Sequence, residues 1–268
     1  MGVTMKQIII FLSVLWLFAT NTEAHEPVFG LGPHTLYQYG YAFSSEFERG
    51  DQGWVHQFET IYGVTPDLSV TAVLPYVLGT QQQSGWGDAV LRMKYRFYRF
   101  DMRGASRQAA VHAGVKLPTG DEAAGVGSGF RTVFVGLSYG YESRRHYFFA
   151  GARYRINGKR DSFKAGNVLA YNIAYGIRPW KLEYNQPDPV FILEVNGRII
   201  GSSSRDGQPI QESGGRVVSV GPALLFSYRN VMFKAGWSVP VYKRRNGKSF
   251  EVEEEILLAL EWHLPPFK

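Results

Sequence analysis

The sequence predicts an all-β protein, a closed antiparallel transmembrane β-barrel of about 12 strands behind an N-terminal signal peptide. Three observations carry this reading. The chain opens on a secretion signal. Apolar and polar residues then alternate with a period of two in segments of roughly ten residues. The polar face of those segments carries charges at mid-strand, which a small filled core could not bury. The expected organisation is a signal peptide at 1–24 and an outer-membrane barrel at 25–268.

The signal is read from Lys6, the apolar run Ile8 to Ala19, and the small residues Thr22 and Ala24, with cleavage expected after Ala24. The run is too short and wrongly flanked for a membrane helix. The chain has 268 residues and no cysteine, which excludes a disulfide framework, a cysteine nucleophile and an acylated N-terminal cysteine. Its net charge is +6. No basic run interleaved with aromatics lies outside the expected strands, so nucleic acid is not expected as a partner.

Alternation is clearest in three places. Val133, Val135, Leu137, Tyr139 and Tyr141 alternate with Gly136, Ser138 and Gly140; Val231, Phe233, Ala235, Trp237 and Val239 with Lys234, Gly236 and Ser238; and Ile256, Leu258, Leu260, Trp262 and Leu264 with Glu255, Ala259, Glu261 and His263. Apolar-out and polar-in is the pattern of a membrane barrel, which must close because lipid offers an open edge no hydrogen-bond partner. Strands are placed near 35–47, 54–64, 68–79, 87–100, 106–117, 131–142, 146–157, 166–177, 189–201, 215–227, 231–243 and 252–265. One set of connections is mostly short, such as Thr65-Pro66-Asp67. The other is long, polar and glycine-rich, as in Pro118 to Phe130. An even strand count and this asymmetry put both termini on the periplasmic side of a Gram-negative outer membrane. Pro75 and Pro240 are expected at strand ends or bulges, with the side opening of the wall as a further option. Tyr37, Tyr39, Tyr41, Trp237, Trp262 and Phe267 are read as lipid-facing or interfacial aromatics. Phe267 resembles the terminal aromatic that barrel-insertion machinery reads, although Lys268 follows it.

Inward parity gives the candidate site. Arg92, Lys94, Arg96, Lys116, Arg153 and Arg155 form an expected basic lumen wall, and Glu46, Glu59, Glu253, Glu255 and Glu261 an acidic one. Closure makes the first and twelfth strands neighbours, so the acidic set is contiguous and faces the basic set. Such opposed walls set up a transverse field that tunes selectivity. The same charges could instead pair and fill the lumen, since 12 strands lies between the filled eight-stranded barrel and the open porin. Two smaller constellations remain. His25, His34 and His263 could meet at the periplasmic end as a copper, zinc or nickel site. Ser45 and His56 could meet on the outward face as part of a lipid-acting enzyme, although no third residue orients the histidine and no nucleophile motif surrounds the serine.

A set of motifs runs along nearly the whole mature chain. They are Tyr62-Gly63-Val64-Thr65-Pro66-Asp67-Leu68-Ser69, Leu74-Pro75-Tyr76-Val77, Gly85-Trp86-Gly87-Asp88, Lys94-Tyr95-Arg96-Phe97, Gly114-Val115-Lys116-Leu117-Pro118-Thr119-Gly120-Asp121, Gly127-Ser128-Gly129, Tyr154-Arg155-Ile156-Asn157-Gly158, Leu193-Glu194-Val195-Asn196-Gly197 and Val220-Gly221-Pro222. In order and spacing they resemble the MetA-pathway-of-phenol-degradation family of outer-membrane transporters. The resemblance implies a barrel and passage of small molecules, and transfers no catalytic residues or cofactor. The expected function is a passive transporter or channel for small, aromatic or hydrophobic molecules rather than an enzyme. The alternative is a non-conducting structural or ligand-binding barrel. Expected partners are outer-membrane lipid, the barrel-insertion machinery and a small-molecule cargo.

Overall fold

The computed structural model describes residues 26–50, 53–79, 83–180, 186–211, 213–245 and 253–264. The expected signal peptide, His25 and the C-terminal Phe267 and Lys268 lie outside them. Twelve long strands make the wall: β1 Tyr41–Gly50, β2 Gly53–Thr65, β3 Leu68–Val77, β4 Val90–Met102, β5 Ala105–Lys116, β6 Thr132–Ser143, β7 His146–Asn157, β8 Val168–Ile177, β9 Asp188–Ile200, β10 Gly215–Tyr228, β11 Val231–Arg245 and β12 Glu255–Leu264. Each is antiparallel to its sequence neighbours, and β1 pairs with β12 from Tyr41↔Leu264 to Arg49↔Ile256, so the sheet closes. No helix forms among the described residues.

The period of two is what lets one wall face two environments. On β6, Leu137 is 58% exposed on the outside, whereas its neighbours Gly136 and Ser138 are buried on the inside. On β9, Leu193 is 55% exposed and Glu194 is fully buried. Pro240 sits where the β10–β11 register slips, with Val218 opposite Tyr242 but Ser219 opposite Pro240. The missing N–H falls where the ladder is already broken. Pro75 stays within β3 but at a split in the wall. Only Leu68 to Val73 pair with β4, while Tyr76 and Val77 pair with a two-residue stub at Gly85–Trp86.

The two ends differ. One carries tight turns at Pro66-Asp67, Arg103-Gly104, Arg144-Arg145 and Arg229-Asn230, plus a longer link between β8 and β9. At the other, long loops add structure of their own: hairpin tips at 159–164 and 204–209 pair into a four-stranded patch. Asp206 and Gly207, with φ of 51° and 80°, make the second tip. This is the left-handed pair that a two-residue hairpin turn requires.

One expectation needs correcting. The alternation predicts a first strand near 35–47, but β1 begins at Tyr41. Tyr39 adopts φ 63°, its N–H donates to the Gly63 carbonyl at 2.7 Å, and a Cβ on Gly63 would lie 1.9 Å from the Tyr37 carbonyl oxygen. The chain therefore turns sharply before it can join the wall. Residues 26–40 run inside the barrel. Tyr37 is half-buried rather than on the outward belt, while Tyr39 and Trp237 are exposed.

Candidate functional site: the lumen

The inner segment is held by the wall through its backbone. A stretch with Pro27, Pro33, Gly30 and Gly32 cannot pair as a strand, so its N–H groups need side-chain acceptors. Glu194 of β9 supplies one carboxylate to two of them, accepting from Val28 N–H at 2.5 Å and Phe29 N–H at 3.1 Å. Asn172 of β8 accepts from Leu31 N–H at 3.1 Å. Lys94 of β4 donates to the His34 carbonyl at 2.8 Å and to the Glu26 carboxylate. At the short-turn end, Thr35 donates to the Pro66 carbonyl at 2.8 Å.

Glycines make room for the segment. A Cβ on Gly236 would lie 2.4 Å from the Phe29 ring, one on Gly140 2.8 Å from Pro33, and one on Gly151 3.1 Å from the Leu31 Cβ. The small inward residues of β6, β7 and β11 are thus the mould of residues 28–33. Val28 joins the inward-facing cluster of Tyr147, Phe149, Ile192, Leu225, Met232 and Leu257, with Phe29 packed against it.

Around and beyond the segment lies a cavity of ≈ 620 Å³. Its lining includes Arg92, Lys94, Lys116, Arg153 and Arg155 from the expected basic wall and Glu46, Glu59, Glu255 and Glu261 from the acidic one. Arg96 is placed differently. It is buried at the short-turn end, where it donates to Asp67 at 2.9 Å, to Gln108 at 2.9 Å and to the Pro66 carbonyl at 2.8 Å. It locks the β2–β3 turn to the β4–β5 hairpin. Glu253 precedes β12 and is exposed, outside the cavity lining.

Most lumen charges are paired. Arg92 meets Glu59 at 2.6 Å, Arg198 meets Glu255 at 2.8 Å, Lys234 meets Glu261 at 3.1 Å, and Lys94 meets Glu26. Gln57 donates to Glu46 at 3.2 Å and Glu48 at 2.8 Å. Arg153 and Arg155 have no such carboxylate among the described residues, and the Nε of each is buried without an acceptor. Glu26, Glu48, Glu194, Arg198 and Lys234 were not among the candidates read from sequence. Parity puts the last four inward, and only the pairing across the lumen gives each a role. The signal for Glu26 was the apolar Val28, Phe29 and Leu31 in a Pro/Gly-rich stretch.

The long-loop rim is tied at Asp88. Its carboxylate accepts from the Gly120 N–H at 3.1 Å, the Ser128 N–H at 2.9 Å and the Ser128 hydroxyl at 2.5 Å, and Lys116 lies at 3.0 Å. Burial pushes this carboxyl up, but the hydrogen bonds from Ser128, Gly120 and Lys116 outweigh it and hold it below its ordinary value. Gly120 and Gly127 touch so closely that a Cβ on Gly127 would lie 2.2 Å from the Gly120 oxygen. Asp121 accepts from the Ala123 N–H at 2.8 Å, a side-chain turn within the loop.

Ser45 and His56 do meet, with Oγ and Nε2 2.8 Å apart. His56 is stacked on Phe47 and tilted against Phe58, both at 4.0 Å, and no third polar group orients it among the described residues. His34 faces Glu142 at 3.2 Å, whereas His263 faces Glu261 at 2.6 Å. The two imidazoles serve different carboxylates, and no group of three His, Asp or Glu side chains among the described residues is placed to hold a metal.

No curated protein matches the chain in sequence. Among solved structures it is similar to the COG4313 outer membrane channel from Pseudomonas putida F1, with TM-score 0.69 and 11% identity over 90% of this chain and 100% of that one. It is also similar to the NanC porin, with TM-score 0.51 and 10% identity over 84% and 100%. At these identities the likeness is one of fold, an outer-membrane barrel. The family model described as "Putative MetA-pathway of phenol degradation" matches residues 24–252. The motifs that tie the rim at Asp88, the turn at Arg96 and the inner segment at Glu194 all fall within that match, and the chain belongs to this family.

Proposed function

We propose that the protein is a passive outer-membrane conduit for small molecules, narrowed at its short-turn half by residues 26–40. The observation that carries this reading is the interior. A barrel serving only as a scaffold could be filled with apolar side chains, whereas this one keeps a ≈ 620 Å³ cavity lined by charges of both signs. Charged walls of low dielectric concentrate counter-ions and polar solutes along a narrow path. In this reading the short turns and both termini face the periplasm, the long loops face outward, and lipid covers the apolar belt. In this reading the chain is a conduit rather than an enzyme, since no third polar group orients the Ser45–His56 pair among the described residues.

The seated inner segment favours one rival, a binding barrel that does not conduct. Reconstitution decides between them. Liposomes carrying the mature protein should take up small solutes of neutral, anionic and cationic charge at different rates, and planar bilayers should show discrete conductance. Uptake no faster than in protein-free liposomes would overturn the conduit.

A further inference from the structure

Arg153 and Arg155 are unusual among the lumen cations. Arg92, Lys94, Lys116, Arg198 and Lys234 each meet a carboxylate. Arg153 and Arg155 are two residues apart on β7, so both side chains point inward, roughly 7 Å apart along the strand. Like charges so placed repel. Each also keeps a buried Nε–H without an acceptor, as Arg92 does, but Arg92 has the Glu59 carboxylate beside it and these two have none among the described residues. A wall that gives its other cations named here a carboxylate but leaves two adjacent guanidinium groups without one is suited to an anion that comes from outside the chain.

The surroundings narrow its chemistry. The Arg153 guanidinium lies 5.5 Å from the centre of the Phe134 ring, and Lys116 lies 5.4 Å from that of Phe130. All four residues line the cavity with Arg155. Two guanidinium forks match the planar, two-oxygen geometry of a carboxylate, and the neighbouring rings offer flat apolar surface to a planar body. Glu46, Glu48 and Glu59 line the same cavity and disfavour a second negative charge. We infer that Arg153 and Arg155, with Phe134 and Phe130, form a binding subsite for a small aryl monocarboxylate. The assignment deepens the conduit reading, but it concerns equilibrium binding and so can be tested without conductance.

The test is titration calorimetry of the mature protein in detergent micelles with sodium benzoate, cyclohexanecarboxylate and inorganic phosphate. Benzoate should bind saturably at one site and more tightly than cyclohexanecarboxylate, with phosphate a poor competitor. Arg153→Gln and Arg155→Gln should each weaken it about tenfold, the scale of one charge-assisted hydrogen bond. Arg153→Lys, which keeps the charge and loses the fork, should weaken it less. Arg107→Gln, on the outside of β5, should leave it unchanged. Heat-modifiable gel mobility reports whether each variant is folded. Absence of saturable benzoate binding to the wild type, or equal affinity in a folded Arg153→Lys protein and in the Gln variants, would overturn the subsite as drawn. Equal competition by phosphate would reject the aryl carboxylate. Saturable binding in a protein that fails to conduct would sink the conduit and leave the subsite standing.

Discussion

The two halves of the lumen are built from the same residue types and put them to different use. In the short-turn half, each polar group named has a structural partner. Arg96 closes a turn, Glu194 holds two backbone N–H groups, and Lys94 ties the inner segment at two points. In the long-loop half, Arg153 and Arg155 line the open cavity with no carboxylate partner among the described residues, and the Nε–H of each is buried without an acceptor. An inward charge is therefore not by itself a pore-lining charge. What separates the two kinds is whether the chain has already met the hydrogen-bonding demand of the group, because a buried donor or acceptor left unmet costs more than a met one gains.

The strongest way to break this contrast is to remove the inner segment. A mature protein lacking residues 26–34 should keep its β-type circular dichroism and heat-modifiable mobility, and its single-channel conductance should rise several-fold. Unchanged conductance would mean that the segment does not narrow the path. Next in size is Glu194→Ala. It strands two buried N–H groups at about 1–3 kcal/mol each, so the segment should unseat and the open-channel current should become noisy. Glu194→Gln keeps one acceptor oxygen and should do less. Gly236→Val tests the mould from the other side. Its new Cβ would fall within 2.4 Å of the Phe29 ring, and the expected result is increased protease access to residues 26–34 with the barrel intact.

The rim gives a smaller effect with a definite sign. Asp88 is held below its ordinary value in the folded protein, so its contribution is complete above the ordinary aspartate range and is lost as pH falls through the lowered value. Hydrogen exchange at the Gly120 and Ser128 amides, corrected for intrinsic rates, should show constant protection from neutral pH down to the ordinary aspartate range and a loss below it. Asp88→Asn should show weaker protection that no longer depends on pH. Smallest of all is Ser45→Ala. It should leave lipid turnover at the background of empty micelles, as should the wild type, and any serine-dependent hydrolysis would reopen the enzymatic reading.

The wall was legible because its period is enforced at every residue. Slipping one position would exchange Leu193 with Glu194, so the alternation reports the strand directly. The pattern alone predicts a strand at 146–157, and β7 spans His146–Asn157. Glycine motifs marked loops whose contacts, Gly120 against Gly127 for instance, need a missing Cβ. The inner segment was not legible. Residues 35–40 carry tyrosines at alternate positions and mimic a strand, and nothing local shows that the Tyr39 N–H turns to the Gly63 carbonyl or that the N–H groups of Val28, Phe29 and Leu31 turn to β8 and β9. The pairing of the lumen charges was hidden for the same reason. Parity says that Arg92 and Arg153 both face inward, and only the cross-lumen distances say that one meets a glutamate and the other meets none.

The seat of the inner segment also fixes a timetable. Val28 reaches Glu194 across 166 residues of sequence, and Phe29 rests against Gly236 on β11. The first residues of the described chain find their partners only after strands near its other end have been made. Contacts so distant in sequence form late, since the intervening chain must be ordered first. The narrowing of the barrel thus depends on the whole wall: without β11 the segment has only part of its mould, and the lumen has no fixed occupant until that strand is in place.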